Sequence, residues 1–153
     1  MDNGLRIARH FIKATSEILS TMAGINAKAG TPYVKKNLVA KGDVSAVVGV
    51  TGDRTGTISV SFSRSCAVAL VRGMLGDSVE DIVRDTQDAV GELANMISGQ
   101  TRAALAGDGV VMQGSTPSVI LGNGHTISHA AGKPVMAMPF TTEHGEFTVE
   151  FCF

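Results

Sequence analysis

The chain has no tryptophan and a single tyrosine. It therefore lacks the aromatic platforms on which nucleic-acid bases stack. It also lacks a basic stripe: 13 Lys and Arg face 14 Asp and Glu, for a formal net charge of −1. Phosphate-backbone binding needs a concentrated basic face, so the composition argues against nucleic acid as a partner. No apolar run approaches the roughly 20 residues of a membrane span. The opening stretch MDNGLRIARHFIKATSEIL carries charges throughout and has no clean apolar core, so no export leader is expected. Cys66 and Cys152 lie far apart and form no C-x-x-C. The expectation is two buried thiols in a cytoplasmic protein, with one disulfide as the alternative.

What remains is enough for a core. The chain has 153 residues, 44% of them apolar and 18% charged, which predicts one folded domain over residues 1–153. Leu5, Ala8, Phe11, Ile12, Thr15, Ile18, Leu19 and Met22 recur at helical spacing and predict a first helix with one apolar face, stopped at Gly24. VSAVVGV and GTISVSF are β-branched runs around TGDRT, a hairpin signature, with Ile58, Val60 and Phe62 on one buried face. Turn signals stand at Thr31-Pro32 and Gly42-Asp43.

A second helix begins after Ser63 or Ser65 and ends at Gly76. The longest helical region follows, with a break or cap near Asp85 and a stop at Gly107. The rest reads as strands with turns at Asn123-Gly124 and His144-Gly145, and Pro139 predicts an edge or a bulge. In the last strand Phe147, Val149, Phe151 and Phe153 alternate with Glu146, Thr148, Glu150 and Cys152, one core face and one more polar face. Helix, strands, helices, strands in that order predict an α+β fold, helices packed on a largely antiparallel sheet.

Two local patterns suggest chemistry and fail on spacing. AGKP at residues 131–134 lacks the first glycine of a phosphate loop, because Ile127 stands there and Pro134 follows the lysine. His125 and His129 are four apart in a strand-and-turn region, too far to share a metal easily, and are expected to be polar surface residues.

DAVGELANMISGQ, residues 88–100, carries the remaining signal. Inside a helix each glycine costs roughly 1 kcal/mol relative to alanine. At about 100° per residue, Asp88, Gly91, Glu92, Asn95, Gly99 and Arg102 share one polar sector. Val90, Leu93, Ile97, Thr101, Ala104 and Leu105 form the opposite side, expected to pack on the sheet. Glycines on an exposed face leave bare backbone that another surface can approach. Glu92 and Asn95, three apart, project together. A carboxylate can pair with a cation, and a carboxamide can hold a water in one orientation. Spacing alone favours an ordinary solvated face.

ATSEILSTMAG and AVGELANMISG align without gaps, Ala14, Glu17 and Gly24 falling on Ala89, Glu92 and Gly99. Three identities in eleven are compatible with chance or with a pseudo-twofold domain.

DAVGELANMISG resembles the signature of the CheC/CheX/FliY family of chemotaxis phosphatases: an acidic or serine residue, Glu, two positions, Asn, and later a proline. Asp88, Glu92 and Asn95 match, and Pro117 follows Asn95 by 22 positions, about one short of the usual gap. STMAG and TPSVILGNG are also similar to family segments, and the element order agrees over nearly the whole chain. Ser20, where the second copy has Asn95, is similar to the single-site CheX branch.

The resemblance implies a pseudo-twofold CheC/CheX-like domain that hydrolyses the phospho-aspartate of a CheY-like response regulator. It makes Asn95 the residue that orients the attacking water and Glu92 the partner of a regulator lysine. Asp88, Gly91, Gly99 and Arg102 are then partner-binding. The resemblance implies no cofactor of the chain's own, Mg²⁺ in the regulator's site, and a homodimer in which sheets join. The alternative is a non-catalytic regulator-binding or dimerisation module of the same fold.

Overall fold

The computed structural model describes residues 2–35, 39–129 and 133–153. Ala131 and Gly132 of the AGKP stretch lie outside them. Helix α1 spans Asp2–Ala23. Strands β1 (Lys28–Ala29), β2 (Tyr33–Lys35), β3 (Val39–Gly52) and β4 (Gly56–Phe62) follow, then α2 (Arg64–Leu75), a short 3₁₀ turn and α3 (Ile82–Gly107). Strands β5 (Met112–Gly114), β6 (Ser118–Ser128), β7 (Val135–Thr142) and β8 (Gly145–Cys152) complete the described elements.

The helix ends form where the local chemistry allows. Gly24 takes φ +63°, a left-handed conformation that costs a glycine little. Its N–H reaches Ser20 O at 3.1 Å, the bond of an αL stop, and that of Ile25 reaches Leu19 O at 3.1 Å. Ser63 caps α2 by accepting from Cys66 N. Along α1, Ala8, Phe11, Thr15, Ile18 and Leu19 are buried as the spacing predicts, while Leu5 and Met22 at its ends are exposed.

All strand pairs are antiparallel, in the order β1-β7-β8-β4-β3-β5, with β2 also on β7 and β6 also on β3. That order is symmetric. Exchanging β4 with β8, β3 with β7, and β5 and β6 with β1 and β2 returns the same sheet. The pseudo-axis passes near the central pair, where Val60 faces Val149. The weak repeat between α1 and α3 thus belongs to two halves, each a helix followed by strands.

One face of the sheet packs on the helices. Phe11 of α1 stacks on Phe151 at 5.1 Å, and Phe147 stacks on Phe62 at 4.9 Å and on Phe140 at 4.8 Å. Burying each phenylalanine side chain stabilises the fold by roughly 1.5–3 kcal/mol. Cys66 and Cys152 are both buried free thiols, and burial pushes the Cys66 thiol above its ordinary range.

The other face departs from expectation. Ser59, Ser61 and Glu150 alternate with core residues yet are themselves buried. Gly42-Asp43 is not a turn, since β3 runs through it; the register shifts there because Asp43 alone stands opposite residues 122–124, a bulge in β6. A bulge bends its strand. Beyond it, Val39 to Gly42 pair with β6 and no longer with β4. Asn123-Gly124 is no turn either, because β6 runs through it. The Asp43 side chain accepts from Gly124 N at 2.9 Å and from Arg64 N at 3.0 Å, tying the β6 bulge and the start of α2 to β3.

His129 is buried, against expectation, while His125 is half-buried. His125 Nε2 lies 2.7 Å from Ser45 Oγ. His129, 1% exposed, lies 2.6 Å from Thr57 Oγ1 and 3.1 Å from Glu150 Oε1, while Lys35 Nζ reaches Glu150 Oε2 at 3.0 Å. His129 lies one residue beyond β6, and its burial comes from the tertiary fold.

Pro139 is not at an edge but stands at a bulge, where Met138 and Pro139 face Gly30, Thr31 and Pro32 between β1 and β2. It sits in the inner strand β7 opposite Thr148, and its missing N–H faces the gap between β1 and β2, where its carbonyl accepts from Gly30 N at 2.7 Å. Gly30 stands opposite it at the bulge and needs only that carbonyl as an acceptor, so the missing N–H orphans no ladder partner.

Candidate functional site

Helix α3 carries the site, and its start is fixed by two aspartates. Asp81 caps the helix, accepting from Val83 N at 3.1 Å and Arg84 N at 3.2 Å. Asp85 reaches back to accept from Glu80 N at 2.8 Å and Asp81 N at 3.1 Å. The predicted cap near Asp85 is therefore this reciprocal pair. The Glu80 N–H, then that of Asp81, hold the Asp85 carboxyl below its ordinary value of 3.8.

A carboxyl whose folded pKa is depressed adds stability that is fully present above the ordinary value and is lost as pH falls through the lowered one. Asp85→Asn should thus lower the melting temperature at pH 7. The gap from the parent chain should begin to narrow as pH falls below about 4 and close only once pH has passed through the lowered folded-state value, where both side chains are uncharged. A gap that persists unchanged in acid would rule out the charge as its source.

Along α3 the two sectors separate as the spacing predicts. Val90, Leu93, Ile97, Thr101 and Leu105 are buried against the sheet, and Asp88, Glu92 and Asn95 are exposed. Asp88, Gly91, Glu92 and Asn95 line one side of an open groove, and Thr116, Pro117 and Val119 line the other. Pro117, 22 positions after Asn95 in sequence, is thereby brought beside it. Among the described residues, no group bonds to the side chains of Glu92 or Asn95. They face solvent with their hydrogen-bonding capacity unspent.

The flanking glycines differ from each other. A Cβ on Gly91 would stand 3.2 Å from Val119 Cγ2, so its bare flank is occupied by β6 of the same chain. This corrects the reading of Gly91 as clearance for a partner: it lets the sheet approach the helix. A Cβ on Gly99 would meet nothing nearer than Arg102 Nη2 at 4.0 Å, so that flank is open. Arg102 is half-buried. Its Nε donates to Ser98 Oγ at 3.1 Å, and its guanidinium lies against Gly114 of β5. It braces β5 on the helix and points away from the groove formed by Glu92 and Asn95.

The related helix α1 presents no such pair. Glu17, aligned with Glu92, accepts from Gln100 Nε2 at 2.9 Å. Ser20 stands for Asn95, and α1 stops at Gly24 whereas α3 continues past Gly99. One of the two pseudo-equivalent positions is open and the other is engaged within the chain. Among the described residues, no group of three or more His, Cys, Asp or Glu side chains could hold a metal, and no helix is long and apolar enough to cross a membrane.

The model of the family described as chemotaxis phosphatase CheX matches residues 44–141, a span that contains α3 and both sides of the groove. The chain belongs to the CheX family. The crystal structure of a CheX chemotaxis protein from Desulfovibrio desulfuricans is 64% identical, with 96% of this chain and 98% of that one covered and a TM-score of 0.93. That of a putative chemotaxis protein from Desulfovibrio vulgaris Hildenborough is 67% identical, covering 97% and 96%, with a TM-score of 0.94. The CheY-P phosphatase CheX of Thermotoga maritima is 28% identical over 118 residues, 76% of each chain. In this CheX-family chain the symmetric antiparallel sheet and the helix layer are those of the CheC/CheX-like fold.

Proposed function

We propose that this chain is a phosphatase that hydrolyses the phospho-aspartate of a CheY-like response regulator. The observation that carries the reading is the Glu92 and Asn95 pair, exposed one turn apart on a groove and unengaged by the chain's own groups. CheX-family membership and the name of the Thermotoga relative support the substrate class.

The chemistry asks little of the phosphatase. Phosphoryl transfer is catalysed mostly by positioning and charge stabilisation. A response regulator brings its own Mg²⁺ and lysine to its phospho-aspartate. In this reading Asn95 enters that site and holds the attacking water in line, as a GTPase glutamine does. Glu92 pairs with the regulator's lysine and secures docking.

The test is phosphate release from a regulator phosphorylated with acetyl phosphate, with and without the chain. Acceleration is expected. Its absence across several CheY-like regulators would leave the docking-module alternative standing. Glu92→Ala should raise the regulator concentration needed for half-maximal rate by about tenfold, the loss of one charged contact, more than it lowers the saturated rate. An unchanged half-saturation would remove that role.

The same reading includes a homodimer. Strand β6 is 11 residues long and pairs only with β3 among the described strands, so its other edge can accept a strand. Sedimentation at micromolar concentration should show a dimer; a monomer throughout would refute this part.

A further inference from the structure

The far wall of the groove is built by a break in the sheet. Strand β3 pairs with β5 as far as Val50 opposite Gly114, and with β6 from Val47 opposite Ser118. Two residues on β3, Val48 and Gly49, therefore stand opposite three, Ser115, Thr116 and Pro117. β5 and β6 are one strand interrupted by a bulge with one extra residue. Pro117 has no N–H to give to the ladder.

Ser115 repairs the break with its side chain. Its N–H donates to Gly49 O at 2.8 Å, and its Oγ accepts from Gly49 N at 2.9 Å. The same hydroxyl donates to Thr116 O at 3.3 Å. One hydroxyl thus replaces the missing ladder partner and holds the next peptide. Thr116 and Pro117 are pushed out of the sheet towards α3, where they face Asp88, Glu92 and Asn95 across the groove. Thr116 is exposed, and the backbone that carries it is pinned.

Resting on the phosphatase reading, we propose that the 115–117 bulge is a second docking wall, which receives the regulator loop beside the phospho-aspartate. Thr116 is a contact residue and Ser115 a positioning residue. Glu92 and Asn95 reach a partner's site only if the partner's rim straddles α3. On the β6 side that rim meets Thr116 and Pro117. A wall already fixed in place spends no ordering entropy when the regulator binds, and it sets how far Asn95 enters.

The experiment titrates a CheY-type regulator, phosphorylated with acetyl phosphate, against the parent chain, Thr116→Arg, Ser115→Ala, Ser115→Thr and Asn95→Ala. Thr116→Arg should raise the half-saturating regulator concentration about tenfold or more while the saturated rate stays within about twofold, since it obstructs docking and leaves the water-orienting group in place. Ser115→Ala should move half-saturation the same way by about threefold, and Ser115→Thr, which keeps the hydroxyl, should restore it.

Parent-like half-saturation in Thr116→Arg, with Asn95→Ala inactive, overturns the docking wall and leaves the phosphatase reading intact. A Ser115→Ala defect that Ser115→Thr does not rescue overturns the positioning role of the hydroxyl. No acceleration by the parent chain overturns the phosphatase reading and the wall with it.

Discussion

Asn95→Ala should abolish the acceleration of phosphate release and leave the fold untouched. The side chain is exposed, sits mid-helix, and bonds to nothing among the described residues, so truncation removes no packing and orphans no buried group. Alanine is also the better helix former, so the melting temperature should stay level or rise slightly. What is lost is the carboxamide that holds the water. Removing one positioned hydrogen-bonding group from a hydrolytic site costs about 10²–10³ in rate. Asn95→Asp sharpens the test: it keeps the shape but brings a negative charge to a phosphoryl group and should also be inactive. A single-turnover rate within a few-fold of the parent for Asn95→Ala would eliminate the mechanism.

The largest stability loss is expected on the opposite face of the sheet. Glu150 accepts from Lys35 at 3.0 Å and lies 3.1 Å from the His129 ring nitrogen, with side-chain exposures of 5% for Glu150, 14% for Lys35 and 0% for His129. Glu150→Ala removes the carboxylate that Lys35 and the His129 ring share, while Ser59 Oγ stays 3.3 Å from the same ring nitrogen. Breaking a buried ion pair from one side costs about 3–5 kcal/mol, and the loss of this shared carboxylate is expected towards the lower end of that range. In a domain of this size that is a large share of the total stability.

Urea unfolding should show a midpoint shifted well downward at constant slope. Glu150→Gln, which keeps the volume and an acceptor, should lose less. A loss under about 1 kcal/mol for the alanine variant would mean that water or relaxation compensates. The two substitutions separate function from folding: one removes activity and keeps stability, the other weakens the sheet far from the groove.

Much of this was legible in the sequence because local rules and the global fold agree there. The amphipathic stripe on α3, the hairpin around TGDRT, the Ser63 cap and the Gly24 and Gly76 stops all depend on neighbours within a few residues. The expectations that failed involve contacts distant in sequence. Gly42-Asp43 and Asn123-Gly124 have turn chemistry, yet each lies within a strand. Asp43 and Gly124, 81 residues apart, meet at the β6 bulge, where the Asp43 carboxylate accepts from the Gly124 N–H. Pro139 signalled an edge or a bulge because its lost N–H is costly inside a ladder, and only the pairing of β1 and β2 on β7 shows that it is a bulge.

The sequence by itself determined the helix, the sector that joins Asp88, Glu92 and Asn95, and, through resemblance, the family. Those follow from a fixed rotation per residue and from residue identity. The tertiary structure alone decided which backbone the glycines expose and to whom. Gly91 is bare because Val119 of β6 fills the space, and Gly99 is bare towards solvent. It also decided that Pro117 stands across from Asn95, that Glu17 is engaged where Glu92 is open, and that His129 is buried against Glu150. No periodicity encodes these facts, because each depends on where a distant strand or helix arrives.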